Sequence, residues 1–251
     1  MVDGEAFFSR SEALLGGAAM ARLADAHVLV VGVGGVGSWC AEALVRTGLG
    51  RITLMDDDVV VESNVNRQCP ATALTVGRPK VEAMAERLRA INPNCEVTAL
   101  CQRFASWTSL ASGASETSGT SCSSFDLVVD AIDSVDCKAE LILEATEAGV
   151  PVVSSMGAAL RLDPTQVTVT RFEKVAGDGL ARALRQRFKR LGRFPAVKFS
   201  CVWSTEPPAR TVEQSNNPNN RTISKGSLMP VTATFGMCLA SEAIRILTTE
   251  R

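Results

Sequence analysis

The 251-residue chain contains a single histidine, and none of its eight cysteines forms a C-x-x-C pair. Zinc ribbons and fingers need four soft ligands at close spacing, so a structural zinc site is not expected. No stretch approaches the roughly 18 uninterrupted apolar residues of a membrane span, so no span is expected. The first residues, Met1-Val2-Asp3-Gly4-Glu5, carry early acids in place of an apolar run, which argues against a signal peptide. Free cysteines without an export signal fit a reducing, cytoplasmic setting, with most thiols buried as small hydrophobes. Net charge is also nearly absent, at -1. The chain as a whole is therefore no general polyanion binder, and any RNA contact must come from a local patch.

What the chain does have is apolar content, 46 % of residues, enough to bury a full core. Strands are expected at 27–32, 51–56, 96–100, 125–130 and 150–154, with helices over 36–47, from Pro79 to Ile91 and from about 136 to 148. Strands that alternate with helices imply right-handed crossovers and a parallel sheet covered on both faces. The expected class is a doubly wound, mainly parallel, Rossmann-like α/β fold. After residue 154 the pattern changes to an alternating strand at 166–171, a partner within 197–203 and an apolar helix over 231–247, a C-terminal α/β extension. Two polar stretches, at 106–124 and 207–227, read as surface loops.

Gly32, Gly34, Gly35 and Gly37 fall between a strand and a helix, where backbone N–H groups and the helix N-terminus can receive a phosphate. Asp56 ends the next strand, where a carboxylate grips ribose hydroxyls. This pattern suits NAD or FAD as well as ATP. The residues beyond it favour ATP. Asp58, Asn64, Arg67, Gln68 and Lys80 follow, and a redox domain has no need for fixed cations there. Arg67 and Lys80 suit the neutralisation of a triphosphate while pyrophosphate leaves. Asp133 and Ser134 follow the fourth strand, at the carboxyl edge where such folds bind ligands, and Asp133 is placed to hold Mg²⁺. Capping of the next helix is the competing role for Asp133.

Taken together, the run from Ala24-Asp25-Ala26-His27 through the glycines, Asp56, 64–68, Lys80 and Asp133 resembles the adenylation core shared by ubiquitin-activating enzymes and bacterial sulfur-carrier adenylyltransferases. The resemblance implies that Asp56 holds ribose, that Asn64, Arg67 and Lys80 contact phosphates, and that Asp133 ligates Mg²⁺. It implies further that Arg10 reaches into the ATP site of a second protomer of a homodimer. Over nearly its whole length the chain is similar to the tRNA threonylcarbamoyladenosine dehydratase family, through 59–68, 130–135, 162–166, 203–206 and 232–236. Membership would make residues 1–251 one adenylating domain, with a nucleotide-binding half at 1–154 and a substrate and dimer half at 155–251. The implied reaction activates the threonine carboxylate of the modified adenosine with ATP and closes a ring with loss of water. Activation of the C-terminus of a ubiquitin-like or sulfur-carrier protein is the alternative, and the absence of paired cysteines counts against it. A monovalent cation and a sulfur-relay or redox partner stay open.

The chain departs from the family in Phe7, in Gly157-Ala158-Ala159-Leu160-Arg161, which replaces a glycine-rich loop ending in lysine, and in Arg221, where some members have a cysteine nearby. Cys201 is the best candidate for a reactive cysteine, although burial in a strand is the stronger reading. Arg182, Arg185, Arg187, Lys189, Arg190, Arg193 and Lys198 form a basic run with no acid between Leu180 and Thr205, either a tRNA-gripping surface or a solvated helix face.

Overall fold

A computed structural model of the chain describes residues 6–107, 124–209 and 226–249. Most of the two polar stretches read as loops lies outside the described residues. So does Arg221.

Two short helices, α1 (Ser9–Leu15) and α2 (Gly17–Asp25), precede a seven-stranded sheet. The strands are β1 (His27–Val31), β2 (Arg51–Met55), β3 (Glu96–Leu100), β4 (Leu127–Asp130), β5 (Val152–Ser155), β6 (Val167–Arg171) and β7 (Ser200–Ser204). They lie in the order β3-β2-β1-β4-β5-β7-β6. All neighbours are parallel except β6, which runs antiparallel to β7. The doubly wound parallel sheet expected from the sequence is present, and the strands of the extension join its edge.

Among the described residues five further helices connect and cover the strands: α3 (Gly37–Thr47), α4 (Lys80–Ile91), α5 (Val135–Glu147), α6 (Gly179–Leu191) and α7 (Met229–Thr248). Alternate strand residues feed two cores, as pleat geometry requires. Val28, Val30, Ile52 and Leu54 pack with Leu44, Leu88 and Phe235 on one face. Leu29, Val31 and Val128 pack with Ile142, Leu184 and Phe188 on the other. Each fully buried side chain of this size contributes about 1.5–3 kcal/mol.

The fifth strand begins two residues later than the apolar run predicts. Pro151 has no N–H to donate, so the ladder to β4 starts with the pair Val128 and Val152. Among the described residues α7 is the one helix long and apolar enough to cross a bilayer. It is instead a core helix laid along α3. A Cβ added to Gly236 would lie 2.6 Å from the Val36 carbonyl oxygen and 2.8 Å from Trp39 Cβ, so only glycine permits this approach.

Strand order reverses between β1 and β4. In open α/β sheets such a switch point opens a crevice beyond the carboxyl ends of the strands.

Candidate functional site

A cleft of about 940 Å³ occupies that crevice. Gly32, Gly34, Gly35, Asp56, Asp58, Asn64, Arg67, Gln68, Lys80, Asp133 and Ser134 all line it. Of the residues that the sequence assigns to the nucleotide site, Gly37 and Arg10 are not on its walls.

The glycines divide by role. Gly32 has φ +91°, and a Cβ there would sit 2.6 Å from the Ala131 carbonyl oxygen. A Cβ on Gly37 would fall 1.9 Å from the Gly32 carbonyl oxygen. These two let α3 press against the strand ends. Around Gly34 the nearest atom to an added Cβ is Gln68 Nε2 at 3.8 Å, so its backbone faces open space in the cleft.

Asp56 leaves β2 into the cleft. Its Oδ2 accepts the Val33 N–H at 2.6 Å and its Oδ1 accepts the Asp58 N–H at 2.9 Å. Burial raises its pKa, and the nearby Lys80 ammonium opposes the rise. Lys80, first residue of α4, is itself buried. Its Nζ pairs with Asp58 Oδ2 at 2.6 Å, and its N–H donates to the Asp58 carbonyl at 3.0 Å. Arg67 lies on the turn after the 3₁₀ helix Glu62–Asn64, where its Nη1 donates to the Ser63 carbonyl at 2.8 Å and to Asn66 Oδ1 at 2.9 Å. Its own carbonyl accepts the Trp39 indole N–H at 2.9 Å, which ties this turn to α3. Asn64 Oδ1 accepts the Val61 N–H at 3.2 Å, and the buried Gln68 Oε1 has no partner.

Asp133 and Ser134 stand exposed on the turn between β4 and α5. Ser134, rather than Asp133, is the N-terminal cap residue of α5, and no side-chain cap bond forms. Asp133 is therefore not the cap residue of α5. Beneath this turn lies a pair that the sequence reading missed. Lys138 and Asp130, both fully buried, meet at 2.7 Å. Lys138 also donates to the Ile132 carbonyl at 2.9 Å, and Asp130 accepts from Ser154 Oγ at 2.6 Å. An unpaired charge here would cost several kcal/mol, so the network fixes the turn that carries Asp133. The one signal in the sequence was a lysine on the apolar face of a helix.

On the far wall the altered segment 157–161 meets α6. Arg161 is 3 % exposed and lines the cleft. Its Nη2 lies 3.7 Å from Asp178 Oδ2, and its Nε and Nη1 have no partner among the described residues. Asp178 caps α6 through the Ala181 N–H at 2.8 Å and holds the Gly157 N–H at 3.2 Å.

The basic run is partly neutralised. Arg185 donates to the carbonyls of Phe172 and Val175, at 2.8 and 2.7 Å, and covers the Phe172 ring. Arg187 pairs with Asp136 at 2.9 Å, and Arg193 with Glu140 and Glu147 at 3.1 and 3.0 Å. Arg182, Lys189, Arg190 and Lys198 remain exposed. Cys201 is buried in β7, and burial pushes its thiol well above the usual range. It carries no nucleophilic thiolate near neutral pH. Arg10 is exposed on α1.

With this geometry in place, likeness to known proteins becomes specific. Residues 8–251 match the model of the ThiF family. The chain is 41 % identical to tRNA threonylcarbamoyladenosine dehydratase of Escherichia coli, over 95 % of this chain and 92 % of that protein. Crystal structures of an E. coli tRNA N6-threonylcarbamoyladenosine dehydratase superpose closely. Its complex with AMP has a TM-score of 0.82 at 40 % identity, covering 98 % of this chain and 97 % of the other. Its complex with ATP has a TM-score of 0.80 at 39 % identity, with the same coverage. Full-length coverage at this identity places the chain in the ThiF family and, within it, among the tRNA threonylcarbamoyladenosine dehydratases.

Proposed function

We propose that this chain binds ATP in the cleft between β1 and β4 and uses it to dehydrate N6-threonylcarbamoyladenosine in tRNA. The observation that carries the reading is the convergence of open glycine backbone, Asp56, Arg67, Lys80 and Asp133 on one cleft. Each group has a task. The backbone at Gly34 and the N-terminus of α3 receive phosphate oxygens. Asp56, its carboxylate aimed by two backbone amides, accepts from the ribose hydroxyls. Arg67 and Lys80 offset the charge on the phosphates as pyrophosphate departs. Gln68, with its free Oε1, borders the nucleotide.

The threonine carboxylate attacks the α-phosphorus, and the bond to pyrophosphate breaks. The acyl carbon of the resulting adenylate is then attacked by the side-chain nitrogen or carbonyl oxygen, and AMP leaves with a former carboxylate oxygen. One water is lost overall. Ring closure is intramolecular, so positioning supplies much of the rate. Asp133, exposed and free of helix capping, suits a ligand for Mg²⁺, which would screen the phosphate charge.

Arg10 stands on an exposed helix away from the cleft of its own chain, a position that supports action in the cleft of a second copy. The tRNA is expected along α6. Arg182, Lys189 and Arg190 share one stripe of that helix, and its first turn borders the cleft at Gly179 and Leu180.

The reading is tested by AMP release from ATP and Mg²⁺ with tRNA bearing the modified adenosine, alongside mass spectrometry of the nucleosides. AMP formation with loss of one water is the expected result. An unchanged nucleoside, with pyrophosphate exchange stimulated by a carrier protein ending in Gly-Gly, would replace it with the alternative.

A further inference from the structure

Arg161 is a buried cation whose hydrogen-bonding groups are largely unused. Its closest acid, Asp178, is 3.7 Å away, beyond hydrogen-bond distance. Asp178 is also committed elsewhere, to the Ala181 and Gly157 amides. Two guanidinium nitrogens have no acceptor among the described residues. A charge this deeply buried costs several kcal/mol unless its N–H groups are satisfied. Arg161 is one of the residues that border the cleft, with Gly157, Ala158 and Gly179 beside it. The N-terminus of α6, capped by Asp178, lies on the same wall. The backbone that delivers the side chain is strained. Leu160 is the non-glycine residue with positive φ, +60°, among the described residues. It is held by backbone bonds to Gly226 and Ala209 at 2.9 and 2.7 Å. This guanidinium is thus buried, half-paired and rigidly held at the wall of the cleft.

We propose that Arg161 binds the threonine carboxylate of the modified adenosine and so distinguishes modified from unmodified tRNA; this rests on the dehydratase reading. The triphosphate already has its cations, Arg67 and Lys80, on the β2 side of the switch point, whereas Arg161 follows β5 on the other side of β4. The anion left for it is the second reactant. Arginine is suited to a carboxylate and holds it ionised, as a nucleophile must be. With one carboxylate oxygen on Arg161, the other is free to attack the α-phosphorus. When the ring closes, the oxygen that stayed behind is the acyl oxygen on which charge develops, and Arg161 remains its donor.

The test compares binding of two anticodon stem-loop RNAs, one with N6-threonylcarbamoyladenosine and one with plain adenosine, to the full chain and to Arg161→Gln and Arg161→Lys. The intact protein should prefer the modified RNA. Arg161→Gln should lose about 10- to 100-fold of that preference, the worth of a hydrogen bond to a charged group. Arg161→Lys should retain part of it, and ATP affinity should be unchanged in both. An undiminished preference in Arg161→Gln overturns the proposal, as does equal weakening of both RNAs, which would place a backbone phosphate on Arg161. Wild-type turnover of the modified RNA, measured beside this, reports on the dehydratase reading separately. An enzyme that turns over but keeps its preference in Arg161→Gln loses the inference and keeps the function.

Discussion

The two walls of the cleft hold their buried cations differently. On the nucleotide wall Lys80 is clamped to Asp58 at 2.6 Å. On the opposite wall Arg161 has, among the described residues, no hydrogen-bonded acid and two nitrogens without acceptors. A paired cation tolerates an empty site, because its counter-charge stays in place until phosphate exchanges for it. An underpaired cation stores the desolvation cost in the empty protein, and recovers it only from the correct anion. The first arrangement suits a ligand common to many enzymes; the second suits selection of one substrate.

The sharpest way to break this contrast is Lys80→Met. If Lys80 acts on the phosphates, AMP formation falls by about 10²- to 10³-fold, as for loss of one charge-stabilising donor. The preference for modified RNA should survive, unlike in Arg161→Gln. Equal loss of both properties would erase the distinction between the walls.

A second pair of substitutions divides the glycine turn itself. Gly37→Ala places a methyl 1.9 Å from a backbone oxygen and should lower stability by about 1–3 kcal/mol or more, read as denaturant midpoint. Gly34→Ala meets nothing closer than 3.8 Å, so its denaturant midpoint should hold while ATP affinity drops several-fold by titration. A destabilised Gly34→Ala would mean that the turn serves packing throughout.

The smallest effect concerns support behind the nucleotide wall. Burial tends to raise the Glu42 carboxyl, but hydrogen bonds from Arg87, Cys69 and Arg46 prevail and hold it at about 2. A carboxylate depressed in the folded state contributes stability above its unfolded value of 4.5, and that contribution is lost as pH falls toward 2. Glu42→Gln should therefore cost stability near neutrality and flatten the decline between those limits, followed by urea melts at stepped pH. An unchanged slope would remove Glu42 from the acid response.

The nucleotide wall was legible in the sequence because local rules write it: a strand, glycines, a helix, and an acid at the end of the next strand. The N-terminal helices carried no such signal. α1 buries no residue, so no apolar period marks it. Lys138 falls on the apolar face of its helix, but its partner Asp130 lies on another element, so the pair itself was not legible. The basic run around α6 looked uniform, but the acids that neutralise Arg187 and Arg193 come from α5, about 50 residues earlier. The placement of β7 between β5 and β6 depends on pairing across the chain, which no local pattern encodes. Segment 157–161 stood out as altered, and the burial of Arg161 became visible only with Asp178 opposite.

The lone histidine has a use unrelated to chemistry. His27 opens β1, at the end remote from the glycine turn, with Nε2 2.9 Å from Thr53 Oγ1 and its ring 4.6 Å from that of Phe125. Burial lowers its pKa, which favours the neutral ring. A proton NMR spectrum of this protein thus contains one imidazole spin system, seated between two sheet strands, and its chemical shift is a built-in gauge of whether the sheet is intact while nucleotide or RNA is titrated at the other end.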